Sequence, residues 1–292
     1  MFSFRTTPIE DQMDKGLQDG KVAVFSTQNS WSIDRKRYLA DVFRERGNLA
    51  AYFGPRETEL TPGTNHIEFS REQLEGLNAV VVEIQDVGSR SYTFISSLGL
   101  MMRACAEQGI EVMVLDRPNP VNGLKVEGCL VEDGFHSFVS EFKIPYVYGL
   151  TVGELAVLIN EEGLNCGEQG KEAPLKCKLS VIPMEGWTRD MTFVDTGLPW
   201  VLPSPNIPYP QSAIGYPSSG LVGEFNNYLN IGVGYTIPFG TFAAEWLDAE
   251  ALKAKLDSYD IPGTSFRTIY HSHCVLIFCC FQSYLFFWIN RN

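Results

Sequence analysis

Five short apolar runs, spaced so that a helix fits between most of them, constrain the fold more than any other feature. They are residues 21–26 (Lys-Val-Ala-Val-Phe-Ser), 49–53, 79–85 (Ala-Val-Val-Val-Glu-Ile-Gln), 111–115 (Glu-Val-Met-Val-Leu) and 178–183. Most are apolar on both faces, as strands of a parallel sheet must be when helices cover both sides. The intervening segments carry helical periodicity. Tyr38, Leu39, Val42 and Phe43 lie on one stripe before Gly47, and Phe94, Ile95, Leu98, Met101, Met102 and Cys105 form another. Helices are read over 34–46, 71–77, 92–108 and 152–162, the last with Thr151 as N-cap. Strands alternating with helices predict an α/β fold with a mostly parallel sheet and helices on both faces.

From Thr196 the pattern changes to a proline-rich, aromatic stretch, Thr-Gly-Leu-Pro-Trp-Val-Leu-Pro-Ser-Pro-Asn-Ile-Pro-Tyr-Pro. It is too apolar for a linker and reads as an ordered loop. Residues 215–239 read as irregular, and 249–256 as a short helix. Two domains are expected, 1–232 and 233–292. The nearly uncharged run 274–289 has three readings in descending order: an aberrant terminus, a buried strand pair, a membrane anchor. It is shorter than the roughly 20 apolar residues of a spanning helix, so no membrane partner is expected.

Charge narrows the function. Lys and Arg total 23 against 35 Asp and Glu, a net charge of −12. Such a chain lacks the basic surface that phosphate neutralisation needs, so no nucleic-acid partner is expected. Seven cysteines without a Cys-x-x-Cys pair read as reduced thiols. The opening residues lack a signal-peptide core, which predicts a cytoplasmic location unless a leader precedes them. Neither a Gly-x-Gly-x-x-Gly after the first strand nor a Walker-type loop is present, so no nucleotide cofactor is expected. His271-Ser-His273-Cys274 is treated as chance, and no metal is expected. The oligomeric state stays open.

Ligands of open α/β sheets bind beyond the carboxyl ends of the strands. Two of those positions carry related chemistry. Gln85-Asp86-Val-Gly88-Ser-Arg90-Ser-Tyr92 follows the third run, and Asp116-Arg117-Pro-Asn119-Pro-Val-Asn122-Gly123, then Glu127, follows the fourth. One such loop is better explained by Asx turns and ion pairs. Two adjacent ones favour a polar cleft, in which burial raises one carboxyl and a neighbouring Arg lowers another, the division that sugar hydrolysis uses. Candidate carboxylates are Glu57, Glu83, Asp86, Asp116, Glu127, Glu154 and Glu224. Glu154 has a competing role in the first turn of its helix. Arg90 and Arg117 have the geometry to hold a substrate carboxylate in a fork. Trp187, Trp200 and Tyr209 suit stacking on a sugar ring, or anchoring loops.

At these loops the sequence resembles a known family. Ile84-Gln-Asp-Val-Gly-Ser-Arg-Ser-Tyr-Thr-Phe94, Leu115-Asp-Arg-Pro-Asn-Pro-Val-Asn-Gly123 with Val126-Glu-Gly128, and Gly149-Leu-Thr-Val-Gly-Glu-Leu-Ala156 resemble the bacterial exo-β-N-acetylmuramidases. Gly186-Trp187, Thr196-Gly-Leu-Pro-Trp200 with Pro203-Ser-Pro-Asn206, and Gly234-Tyr-Thr-Ile-Pro-Phe239 continue the match in order, over about residues 20–267. The resemblance implies a Rossmann-like N-terminal domain, a smaller C-terminal domain that is incomplete here, and a cleft between them. It implies a glycoside hydrolase that removes terminal N-acetylmuramic acid from peptidoglycan fragments in cell-wall turnover, without cofactor or metal.

Three positions depart from the family pattern. Pro-Glu-His-Gly reads Pro55-Arg56-Glu57-Thr58, Arg-His-Gly reads Val147-Tyr148-Gly149, and Glu-Gly-Thr-Asn reads Gly223-Glu224-Phe225-Asn226. The expected acid/base groups are therefore Glu57, Asp86, Asp116 and Glu83. Arg90, Arg117, Asn119 and Asn122 are expected to bind the saccharide, with Gln85, Tyr92, Glu127, Tyr148, Asn206 and Glu224 around them. Alternatives are a non-catalytic muramyl-saccharide-binding protein, which Arg56 favours, and an inactive truncated product.

Overall fold

Strand β1, Val22–Ser26, is buried along its whole length, so it must be covered on both faces and flanked on both edges. It pairs in parallel with β2 (Leu49–Phe53) on one side and β3 (Ala79–Glu83) on the other. Parallel pairing continues from β3 to β4 (Glu111–Leu115) and from β4 to β5 (Lys178–Ile182), giving the order β2-β1-β3-β4-β5. The computed structural model describes residues 17, 20–32, 36–55, 69–164, 174–225, 228–271 and 274–281, with backbone alone from 270 onward. The chain divides into two units, Met1–Ser204 and Pro205–Asn292.

The first unit obeys the right-handed crossover rule. The step from β1 to β2 runs one way along the sheet, so helix α1 (Leu39–Glu45) lies on one face. All later steps run the other way, which puts α2 (Arg71–Leu74), α3 (Phe94–Gln108) and α4 (Val152–Glu162) on the opposite face. There α3 packs against both α2 and α4. Period-two alternation divides the strand side chains accordingly. Val22, Val24, Ala79 and Val81 form one cluster with Leu39, Ala40 and Phe43 of α1. Ala23, Phe25, Val80 and Val82, equally buried, face the other way. Phe43 is fully enclosed, and burying a side chain of that size contributes about 1.5–3 kcal/mol.

Several element boundaries differ from the sequence reading. α1 starts at Leu39, after a two-stranded ladder pairs Trp31–Ser32 with Arg37–Tyr38. β3 ends at Glu83, so Asp86 stands three residues beyond its strand, whereas Asp116 directly follows β4. α3 ends on Gly109 in the left-handed region, φ 69°, where a residue without Cβ carries no penalty.

In the second unit, α5 spans Pro210–Ser219, a stretch read as loop and irregular chain. Proline at its first position needs no amide partner there, so the proline that suggested a loop in fact opens a helix. α6, Ala249–Asp257, is capped by Asp248, whose side chain accepts from the Ala251 amide. β6 (Thr241–Ala243), β7 (Thr264–His271) and β8 (Cys274–Phe281) form an antiparallel sheet in the order β6-β8-β7. Of the three readings of the apolar run, the strand reading describes residues 274–281. No helix among the described residues is long and apolar enough to cross a membrane.

Candidate active site

The strand order reverses between β1 and β3, and in doubly wound sheets the ligand crevice opens beyond the strand ends at that reversal. The two exits are tied together. Asn29 Nδ2 donates to the Glu83 carbonyl at 3.2 Å, and Arg117 Nη2 donates to the Asn29 carbonyl at 2.7 Å. Arg117 Nη1 also lies 3.6 Å from Glu83 Oε1, both side chains being 14% exposed. Burial raises the Glu83 carboxyl above its ordinary range, and Arg117 offsets this only in part. Arg117 thus joins the exits of β1, β3 and β4. The loop leaving β2 is described only as far as Pro55; Glu57 and Arg56 lie outside the described residues.

Asp86 is 2% exposed. Its Oδ2 accepts from the Gly88 amide at 2.8 Å and from the Tyr148 hydroxyl. Its Oδ1 is buried without a partner among the described residues. Burial outweighs the donors and pushes the carboxyl up to about 7, while Tyr148, buried against it, is pushed well above the usual tyrosine value. Gly88 has φ 81°, and a Cβ there would lie 2.4 Å from Asn119 Oδ1. Only glycine lets the Asp86 loop close on the Asp116 loop. Gln85, 1% exposed, closes the same junction by donating to the carbonyls of Asp86 and Pro118, both at 2.9 Å.

Asp116 is held quite differently. Oδ1 accepts from the amides of Arg117 at 2.9 Å and Gly153 at 2.7 Å, and Oδ2 accepts from Thr151 Oγ1 at 2.8 Å. Burial still raises this carboxyl despite the three donors. Thr151 also caps α4 in a reciprocal box with Glu154, each accepting from the other's amide at 3.1 Å, the first-turn role open to Glu154 in the sequence. Glu154 pairs with Arg189 as well. Asp116, Thr151, Glu154, Val157, Met184 and Trp187 are among the walls of an open cleft of about 270 Å³ at the β4 and β5 tips.

The remaining sequence candidates divide. Asn119 donates to the Leu150 carbonyl at 3.0 Å and accepts from the Val121 amide at 3.0 Å. Asn122 sits at φ 125° and accepts from the amides of Leu124 and Lys125, both at 2.9 Å. Both are buried and shape the loop. Arg90 donates to the carbonyls of Cys129 at 2.7 Å and Ile144 at 2.6 Å. Tyr92 is buried with its ring 4.5 Å from that of Phe94. Glu127 is exposed, paired with Lys125, and exchanges backbone hydrogen bonds with Val147. Asn206 and Glu224 belong to the second unit, Glu224 on an exposed 3₁₀ turn over Val222–Phe225. The first unit therefore gathers Glu83, Gln85, Asp86, Arg117, Asn119 and Tyr148 at adjoining strand exits, with Glu83 paired to Arg117, Asp86 to Tyr148, and Gln85 bridging the two loops. Among the described residues, no three His, Cys, Asp or Glu side chains are grouped as metal ligands.

Family models match in succession: exo-β-N-acetylmuramidase NamZ, N-terminal, over residues 63–211, and its C-terminal counterpart over 214–273. The chain belongs to the NamZ exo-β-N-acetylmuramidase family. One NamZ relative, the peptidoglycan β-N-acetylmuramidase NamZ of Bacillus subtilis (strain 168), is 41% identical over 196 residues, 67% of this chain and 44% of that protein. The chain thus spans less than half the length of this curated NamZ relative. Two crystal structures of DUF1343 family proteins from Bacteroides fragilis NCTC 9343 share this fold. One is 38% identical with TM-score 0.81, covering 94% of this chain and 75% of that one. The other is 29% identical with TM-score 0.65, covering 80% and 65%.

Within the NamZ framework, sequence reasoning missed Asn29 and Gly88. The Thr27-Gln-Asn29-Ser30 loop follows the first strand, where no Gly-x-Gly-x-x-Gly is present. Its position at the exit of β1 was the available signal. Nothing local marks Gly88, whose role depends on Asn119 from another loop.

Proposed function

We propose that the chain is an exo-acting glycosidase that removes terminal N-acetylmuramic acid from peptidoglycan fragments. The observation that carries this reading is Asp86: a buried carboxyl at the sheet's ligand edge, with one oxygen unpartnered among the described residues and burial pushing it up to about 7. Glycoside hydrolysis needs an acid that keeps its proton at working pH and a second carboxylate on the sugar. Asp86 supplies the first. Glu83 supplies the second, its charged form favoured by Arg117 against the burial that raises it. Asp116, whose oxygens take three donors, anchors α4 and the β4 loop. Arg90 and Arg117, committed to carbonyls and to Glu83, brace the site.

The test is release of a chromogenic aglycone from a β-N-acetylmuramic acid glycoside. Asp86→Asn should lower kcat by about 10²–10⁴-fold, the usual contribution of a general acid. Glu57 is the rival acid: Glu57→Gln losing that much while Asp86→Asn does not would transfer the role. Calorimetric binding of muramic acid without any turnover would overturn hydrolysis in favour of a saccharide-binding protein.

A further inference from the structure

We infer that Tyr148 is a positioning residue for the Asp86 carboxyl: its phenol, together with the Gly88 amide, fills one carboxyl oxygen and confines the transferable proton to the other. This rests on the reading of Asp86 as the acid. The asymmetry is geometric: Oδ2 takes the Tyr148 hydroxyl and the Gly88 amide, no hydrogen bond from the described residues reaches the enclosed Oδ1, and the Val87 amide adds a smaller pull on the carboxyl as a whole. A proton on Oδ2 would have to displace a donor already in place, whereas the enclosed Oδ1 keeps lone pairs that no described residue takes.

Tyr148 can set this only if its own backbone is fixed, and the surrounding chain fixes it. Val147 bridges to Glu127 and to Ser89 on the Asp86 loop itself. The Arg90 amide donates to the Tyr146 carbonyl at 2.8 Å, and the Arg90 guanidinium holds the carbonyls of Cys129 and Ile144. At Gly149, φ 62°, a Cβ would lie 2.6 Å from the Lys125 carbonyl oxygen. The phenol is therefore carried on a strapped segment.

The charged groups on neighbouring elements are committed elsewhere. Arg90 faces carbonyls, Arg117 faces Glu83 and Asn29, and the Asp116 carboxylate faces Thr151 and Gly153. Among the described residues, Tyr148 is the titratable group bonded to Asp86.

In the reaction, the Oδ1–H bond breaks as its proton passes to the glycosidic oxygen. The sugar C1–O bond breaks with its electron pair leaving on that oxygen, and the aglycone departs as an alcohol. Asp86 is then a carboxylate whose new charge lies against the Tyr148 hydroxyl and the Gly88 amide. Water supplies the hydroxyl at C1, and its second proton restores Asp86. Tyr148 thus stabilises the product side of proton transfer more than the starting acid.

The experiment titrates aspartate carboxyls by ¹³C NMR in the wild type, Tyr148→Phe and Asp86→Asn, the last assigning the resonance, alongside pH–rate profiles. Removing a donor to the charged form raises a carboxyl pKa. A hydrogen bond to a charged group predicts a midpoint about 1–2 pH units higher in Tyr148→Phe, and kcat about 10- to 100-fold lower. The basic limb of the profile should rise with the midpoint, and KM should change less than kcat. An unmoved midpoint overturns the inference even if activity falls. If Tyr148→Phe does not fold, the wild type decides: a downfield phenol proton resonance that vanishes in Asp86→Asn supports the pairing, and its absence refutes it. A wild type without turnover sinks the glycosidase reading alone, because the carboxyl titration needs no substrate.

Discussion

The tips of β3 and β4 carry nearly the same residues, an aspartate and an arginine in a glycine- and asparagine-containing loop, and yet differ in how their carboxylates are held. Asp116 has both oxygens bonded, to Arg117, Gly153 and Thr151. Asp86 has one oxygen bonded twice and the other enclosed without a partner among the described residues. The arginines diverge too: Arg90 straps backbone carbonyls, and Arg117 crosses to Glu83 on the neighbouring strand. Residue type places a carboxylate at a strand tip. On the proposed reading, the number of donors it finds there decides whether it works as an acid or as a fastener.

The largest effect should separate the two aspartates directly. Asp86→Asn is expected to lose about 10²–10⁴-fold in kcat, while Asp116→Asn, still accepting from Gly153 and Arg117, should lose under about tenfold in the same assay. Equal losses would erase the distinction.

Next comes pH. The folded-state value of Asp86 lies above its ordinary 3.8, at about 7. Its contribution to stability is therefore present below about pH 4 and disappears as pH rises through about 7. Urea unfolding of the wild type should lose more stability between about pH 5 and pH 8 than that of Asp86→Asn. Identical pH dependence would mean that Asp86 is ionised at little cost in the folded chain.

Arg117→Ala leaves Glu83 buried without its counter-charge, which should cost about 3 kcal/mol in unfolding free energy. Arg90→Ala removes a cation whose partners are neutral carbonyls and should cost less. The reverse order would show that the strap, not the ion pair, is the stronger brace. The smallest effect is expected for Thr151→Ala, about 1–2 kcal/mol from the lost cap and the lost donor to Asp116, with kcat nearly unchanged. A large fall in kcat would place Asp116 in the chemistry after all.

The sheet was legible because a fully covered parallel strand must be apolar on both faces, so Val22–Phe25 and Ala79–Val82 could not be mistaken for surface. α5 was missed because its Pro210 and Pro217 speak locally for a loop. Asp86 and Asp116 were legible as strand-tip carboxylates. The sequence read Arg90 and Arg117 as forks for a substrate, since a forked cation next to a carboxylate suggests one. Their partners in the fold lie far along the chain: Cys129 and Ile144 are 39 and 54 residues from Arg90, and Asn29 is 88 from Arg117. No local pattern encodes such pairings. The free side of Asp86 was equally invisible, since it depends on Tyr148 arriving from 62 residues away.

The strand order of the small antiparallel sheet has a consequence for synthesis. Its middle strand, β8, is the last of the three in the chain, and it lies between β6 and β7. During translation, both outer strands leave the ribosome before the one that joins them. Their inner edges then present open amides and carbonyls, which invite pairing with another chain. The parallel sheet of the first unit is already fully translated by that point. Until β8 docks between them, β6 and β7 each keep an unpaired edge open to such pairing.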